Sequence, residues 1–222
     1  MIKIYGYRLS PFVERIYQLV TAKGIEDKFE FCAIPDDDLR SATYLALNPL
    51  AKMPVMEDGD LCMPESTIIC EYIDAKFPQN PMLPDSLEEI TAVKMINRML
   101  DLYIFLNMFE ASAIAGGDKP DKDLIAKKMA QLNAGLDIVE RFIDKENGQF
   151  LVGDKWSMAD CSMVSADFFF SRILERMGVD AYANRPKLKA WHDVQIDTPK
   201  LKETYKTMDK ELVAFIKKMK EK

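Results

Sequence analysis

The 222 residues exceed the ~100–150 of a typical single core but stay below the length at which cores stop growing, so one large domain or two small ones fit. With 48% hydrophobic and 30% charged residues the composition excludes disorder, and a formal net charge of −6 supplies no global positive field for nucleic acid or anionic lipid. No stretch approaches the ~18 apolar residues of a membrane span, and Met1-Ile2-Lys3-Ile4 has neither segment of a secretion signal, so a cytoplasmic protein without a membrane partner is expected.

Residues 2–5 are a β-prone run, and from Pro11 the apolar residues Phe12, Ile16, Leu19 and Val20 recur at helical spacing until Gly24. Residues 29–33 alternate as a second strand, after a crossover long enough for parallel pairing. A polar loop at 36–40 and a short helix at 42–47 lead to strands at 54–57 and 61–63 around the turn Asp58-Gly59. A helix over 65–77 carries Ile68, Ile69, Tyr72 and Ile73 on one side. The order β-α-β-α-β-β-α over residues 1–78 belongs to an α/β sandwich with a mixed four-stranded sheet.

Pro78, Pro81 and Pro84 crowd a turn-rich stretch, which places a linker at 79–85. Beyond it the chain reads as helices to its end, an all-α bundle over 86–222. Ser86 with Glu89, and Ser157 with Asp160, have capping-box spacing, with Trp156 placed as a hydrophobic staple before the second. Breaks are expected at Gly116-Gly117 with Pro120, at Asn147-Gly148, and at Asn184-Arg185-Pro186. Cys32, Cys62, Cys70 and Cys161 form no CxxC pair or metal cluster and read as small hydrophobes, so no metal is expected. The basic end, residues 217–222, reads as a solvated helix terminus, and the single histidine, His192, has no evident partner and is placed on a helix surface.

Three places carry chemistry. Ser10 falls at the N-cap of the first helix with Pro11 at its first position, so its hydroxyl either caps the helix or joins the positive helix pole in holding a thiolate. Met53-Pro54 opens a strand where proline cannot donate to the ladder. A cis bond there would leave the Met53 amide and carbonyl to pair with a peptide ligand, against the plainer reading of a strand start. Glu65 and Ser66 begin another helix, where a carboxylate, a hydroxyl and free amides suit an α-amino acid group or simply an acidic first turn.

In order and spacing, Ser10-Pro11-Phe12 with Arg15, Asn48-Pro49, Met53-Pro54-Val55, and Pro64-Glu65-Ser66 with Glu71-Tyr72-Ile73 resemble the N-terminal domain of cytosolic glutathione transferases. The likeness is to the serine-type classes and is closest to the plant tau class. Phe150-Leu151-Val152-Gly153-Asp154, the helix start at 157–160, and residues 186–191 extend the resemblance more weakly. It implies a thioredoxin-like domain followed by a helical bundle. It also implies a transferase that conjugates the glutathione thiolate to an electrophilic, mostly apolar small molecule, with glutathione as co-substrate and no other cofactor.

By the same resemblance Ser10 bonds the glutathione sulfur, with Phe12 beside it, and Met53 and Pro54 meet the cysteinyl part. Glu65 and Ser66 anchor the γ-glutamyl group, while Arg40 and Lys52 are candidates for the glycyl carboxylate. The second substrate is expected between Leu9 and Phe12 on one side and Tyr103, Met108 and Phe109 on the other. The resemblance further implies a homodimer. Ser10 stands where thiol-type relatives have cysteine, which argues against mixed-disulfide chemistry, and Tyr5 and Tyr7 are rival hydroxyls near the same turn. Glutathione-dependent disulfide or peroxide reduction would use the same site. A non-enzymatic protein of the stringent-starvation type is the alternative of another kind, and Ser10, Met53, Glu65 and Ser66 together argue against it.

Overall fold

The computed structural model describes residues 1–145 and 148–220. The chain divides into two units, Met1–Met82 with Lys202–Lys222, and Leu83–Leu201.

In the first unit the sheet order is β2-β1-β3-β4, formed by β1 (Ile2–Tyr5), β2 (Phe29–Cys32), β3 (Val55–Asp58) and β4 (Leu61–Pro64). β1 pairs parallel with β2 and antiparallel with β3, and β3 and β4 form the hairpin. The hairpin lies one residue later than the pattern predicts, with Asp58 opposite Leu61 and Gly59 supplying the positive φ of the loop. Helix α1 (Pro11–Lys23) packs on α3 (Ser66–Lys76), burying Val13, Ile16, Leu19, Ile69 and Ile73 completely. Gly24, at φ 67°, ends α1 as its position predicts. Another buried cluster gathers Ile34, Tyr44 from α2 (Ala42–Leu47), and Val55, with Tyr5, Tyr7 and Met53 against it.

The first unit runs to Met82 rather than to residue 78, because Lys23 and Asp74 hold the following segment. Lys23 Nζ lies 2.6 Å from Asp74 Oδ1 and donates to the carbonyls of Gln79 and Asn80, while the Met82 amide donates to Asp74. The chain end also departs from expectation. From Lys202 onward, α9 (Pro199–Lys220) belongs to the first unit and not to the helical one. Gln18 donates to the Thr204 hydroxyl at 2.9 Å, and Lys218 pairs with Asp37, so this basic helix end is not simply solvated.

The second unit is helical throughout its regular elements: α4 (Leu87–Met99), α5 (Leu106–Ala115), α6 (Lys122–Phe142), α7 (Met158–Phe169), α8 (Pro186–Gln195) and the first turn of α9. The Ser157 capping box is present, with the Ser157 amide donating to Asp160 Oδ2 at 2.9 Å, and the staple position is filled by Trp156, whose indole approaches Cys161. Gly116 caps α5, Pro186 opens α8, and of the predicted break at Asn147-Gly148 only Gly148 lies within the described residues. Residues Leu100–Phe105 and Phe170–Leu174 widen into π-helical turns that no sequence pattern announced.

His192 has partners, contrary to the sequence reading: its Nδ1 lies 2.8 Å from Asp167 Oδ1 and 3.1 Å from the Tyr182 hydroxyl. Cys70 and Cys161 are buried as small hydrophobes, whereas Cys32 is only partly buried and Cys62 is exposed, since its strand β4 lies at the sheet edge. No described helix is long and apolar enough to cross a membrane.

Candidate functional site

The turn over residues 6–10 joins β1 to α1. Gly6 sits at φ 152° with its amide bonded to the Cys32 carbonyl, and a Cβ there would come within 2.5 Å of the Val13 side chain. Only glycine fits this approach. The Ser10 amide closes the turn on the Tyr7 carbonyl at 2.9 Å, and the Ser10 carbonyl receives the Val13 and Glu14 amides.

Ser10 is the N-cap residue by backbone geometry, yet its hydroxyl makes no capping hydrogen bond. It is partly exposed at the positive end of a 13-residue helix. The rival hydroxyls are engaged elsewhere. Tyr7 donates to Asp37, and burial first, then that bond, push its phenol up to about 12. Tyr5 donates to Glu57 at 3.3 Å, with burial and Glu57 raising its phenol as well. Among these three hydroxyls Ser10 is the one without an acceptor among the described residues.

Met53-Pro54 is a cis peptide. Neither the amide nor the carbonyl of Met53 is bonded by another described residue. The preceding peptide is held from below: the Lys52 carbonyl accepts the Tyr44 hydroxyl at 2.8 Å and the Asn48 side-chain amide at 2.6 Å. Asn48 is buried, and its own oxygen accepts the Leu50 amide. A closed turn thus carries Met53 at its exit with its backbone groups unspent.

Glu65 lies at φ 74°, a region costly for a residue with a Cβ, immediately before α3. Its side chain is exposed while Ser66 is buried, and Arg15, itself 1% exposed, donates to Ser66 Oγ at 3.3 Å. The Arg15 guanidinium also stands 5.6 Å from the centre of the Phe12 ring. Because a guanidinium only donates, the Ser66 hydroxyl hydrogen remains for an outside acceptor. Arg15 is therefore a supporting residue that the motif contained but whose role only the fold reveals.

Arg40 and Lys52 are both exposed, and neither side chain has a hydrogen-bond or ion-pair partner among the described residues. Leu9 and Phe12 flank Ser10 and are partly exposed. In the second unit Tyr103 is 43% exposed on the π-helical turn, where Gly135 of α6 lets the helices approach closely. Phe109 is partly exposed and stacks on Phe105, whereas Met108 is fully buried and presents no free surface. One residue that no motif pointed to also meets the turn: Glu211 of α9, whose Oε2 accepts the Leu9 amide at 2.6 Å.

Comparison with known proteins gives two family models, the glutathione S-transferase N-terminal domain over residues 4–81 and the C-terminal domain over residues 111–208. The chain is 26% identical to glutathione S-transferase 1 of Triticum aestivum, covering 95% of this chain and 96% of that protein. It is 29% identical to glutathione S-transferase U7 of Arabidopsis thaliana, covering 80% and 74% respectively. A solved glutathione S-transferase of Methylobacterium radiotolerans, in complex with glutathione sulfonate, superposes with a TM-score of 0.75 at 20% identity over 92% of this chain and 94% of that one.

Proposed function

The chain belongs to the glutathione S-transferase superfamily, and from that premise we propose that its first unit holds glutathione across three places and activates the thiol at Ser10. The observation that carries this reading is the Ser10 hydroxyl, which lies at the start of α1 and is not consumed by capping. It donates to the glutathione sulfur. The Met53 amide and carbonyl pair with the cysteinyl residue as an added strand would. Glu65 takes the γ-glutamyl ammonium, and Ser66 with the first amides of α3 takes the carboxylate. Arg40 and Lys52, two cations without a side-chain partner among the described residues, take the glycyl carboxylate.

The chemical task is ionisation of the thiol. A free thiol has a pKa near ~8.5, and lowering it by about two units needs ~2.7 kcal/mol of preferential thiolate binding. A hydroxyl hydrogen bond and a helix N-terminus together are of that size. The thiolate then attacks an electrophilic carbon, forming the carbon–sulfur bond as the leaving group departs with its electron pair. No protein cysteine stands at Ser10, so the chain's own residues bind, orient and ionise.

The second substrate is a mostly apolar electrophile that meets Leu9 and Phe12 beside Ser10. The enzyme works as a cytoplasmic homodimer. Light scattering at micromolar concentration checks the dimer, and a particle of single-chain mass would remove it. The function is tested by assaying purified protein with glutathione against aryl halides, epoxides, peroxides and a small disulfide. Turnover of an aryl halide or epoxide supports conjugation. Turnover of only the peroxide or disulfide replaces conjugation with reduction, and failure to bind immobilised glutathione removes the reading.

A further inference from the structure

We infer that Glu211 of α9 is a positioning residue for the turn that presents Ser10, and that its carboxylate restrains ionisation of the thiol bound there. The inference rests on the glutathione reading of Ser10 given above.

Three residues of α9 at seven-residue spacing, Thr204, Glu211 and Lys218, fall on one helical face and make three contacts with the sheet domain. Thr204 accepts from Gln18 of α1 at 2.9 Å, Glu211 accepts the Leu9 amide at 2.6 Å, and Lys218 pairs with Asp37, which accepts the Tyr7 hydroxyl. The turn over residues 6–10 is therefore gripped twice from the same helix. Glu211 holds it at Leu9, and Lys218 holds it through Asp37 at Tyr7.

The Leu9 amide lies one residue before Ser10, so a short charge-assisted bond at this atom fixes the backbone that aims the Ser10 hydroxyl. The same bond brings a negative charge to the thiol site. The charged and titratable groups around the turn are Tyr7, Arg8, Glu14, Tyr17, Asp37, Glu211 and Lys218, the last paired with Asp37. Arg8 feels the charge of Glu211 but makes its ion pair with Glu14, to which its Nε and Nη2 donate at 2.9 Å each, and its guanidinium covers the Tyr17 ring at 3.5 Å, so the cation is matched by Glu14 and the charge of Glu211 is left in excess. No cation pairs with Glu211 among the described residues. A like charge disfavours an anion nearby, so the carboxylate that orders the turn also opposes the thiolate.

Glu211→Gln keeps an acceptor for the Leu9 amide and removes the charge, whereas Glu211→Ala removes both. The ultraviolet absorbance of the bound thiolate is titrated in wild type and both variants, with glutathione KM and thermal melting beside it. For Glu211→Gln the expected result is a midpoint lower by about half a unit to one unit, with KM close to wild type and the shift shrinking in high salt. For Glu211→Ala, KM rises several-fold. An unchanged or raised midpoint in Glu211→Gln overturns the electrostatic role, and an unchanged KM in Glu211→Ala overturns the positioning role. If Glu211→Ala does not fold, the Glu211→Gln titration decides. Wild-type protein that binds no glutathione defeats both this inference and the functional reading, whereas a wild type that binds it with no response in either variant defeats this inference alone.

Discussion

Asn48 donates its side-chain amide to the Lys52 carbonyl at 2.6 Å, and Lys52 is the residue whose peptide leads into Met53. A buried side chain thereby sets the orientation of the one backbone stretch in the first unit that the glutathione reading requires to be both ordered and unpaired. The Tyr44 hydroxyl adds a second donor to the same carbonyl at 2.8 Å, so its acceptor capacity is filled from inside the protein.

Asn48→Ala leaves the Leu50 amide without its side-chain acceptor and the Lys52 carbonyl with one donor. The expected cost is about 1–3 kcal/mol of stability, with glutathione KM raised about 3–10-fold. Chemical denaturation and glutathione-dependence of the rate measure the two effects. A variant as stable as wild type with unaltered KM would show that the turn orders itself without Asn48.

Ser10→Ala separates capping from thiolate binding. Since the hydroxyl makes no capping bond, stability should stay within about 0.5 kcal/mol of wild type rather than fall by the ~1 kcal/mol of a lost cap. The bound thiol's titration midpoint should rise, and turnover near neutral pH should fall about tenfold or more. A lower melting temperature with an unchanged midpoint and turnover would return Ser10 to the role of a helix cap.

Asp160 is a buried carboxylate that holds several donors of the helical unit. Its Oδ1 accepts the Leu151 amide at 2.9 Å and the Trp191 indole at 2.8 Å, and its Oδ2 accepts the Ser157 amide and hydroxyl. Asp160→Ala strands these buried donors and should cost about 3–5 kcal/mol, read by urea denaturation. A loss under about 1 kcal/mol would mean that the donors find other acceptors.

Much of this was legible in the sequence because it is local. The strand and helix periods, the Gly24 stop, the Ser157 box and the proline after Met53 are each written within a few residues of the feature they produce. Arg15 was visible within the motif, but its donation to Ser66 crosses 51 positions and has no local signature. Glu211 meets Leu9 across 202 positions, and the pattern of α9 could announce a helix with a buried face without saying what would cover it. The widening at Leu100–Phe105 was hidden for another reason: one extra residue in a helical turn changes the backbone without changing the kinds of residue.

His192 provides a test by pH, since a single histidine gives a single titrating imidazole. Its Nδ1 lies 2.8 Å from Asp167 Oδ1, and Asp167 is 1% exposed. The Tyr182 hydroxyl gives its one hydrogen to the same carboxylate, so its oxygen can accept from Nδ1 and the imidazole takes up its second proton at Nε2. The hydrogen bond to Asp167 raises the pKa of His192 above the ordinary 6.5, against a smaller opposing effect of burial. A histidine whose folded value exceeds its unfolded one stabilises the fold when charged. That contribution is complete below the unfolded value and disappears as pH rises through the folded one. The imidazole resonance should therefore titrate with a midpoint above 6.5, and His192→Gln should destabilise the protein more at pH 5.5 than at pH 8.5. A midpoint at or below 6.5, with a stability difference the same at both pH values, would mean that Asp167 gives its charge to Tyr182 and not to the imidazolium.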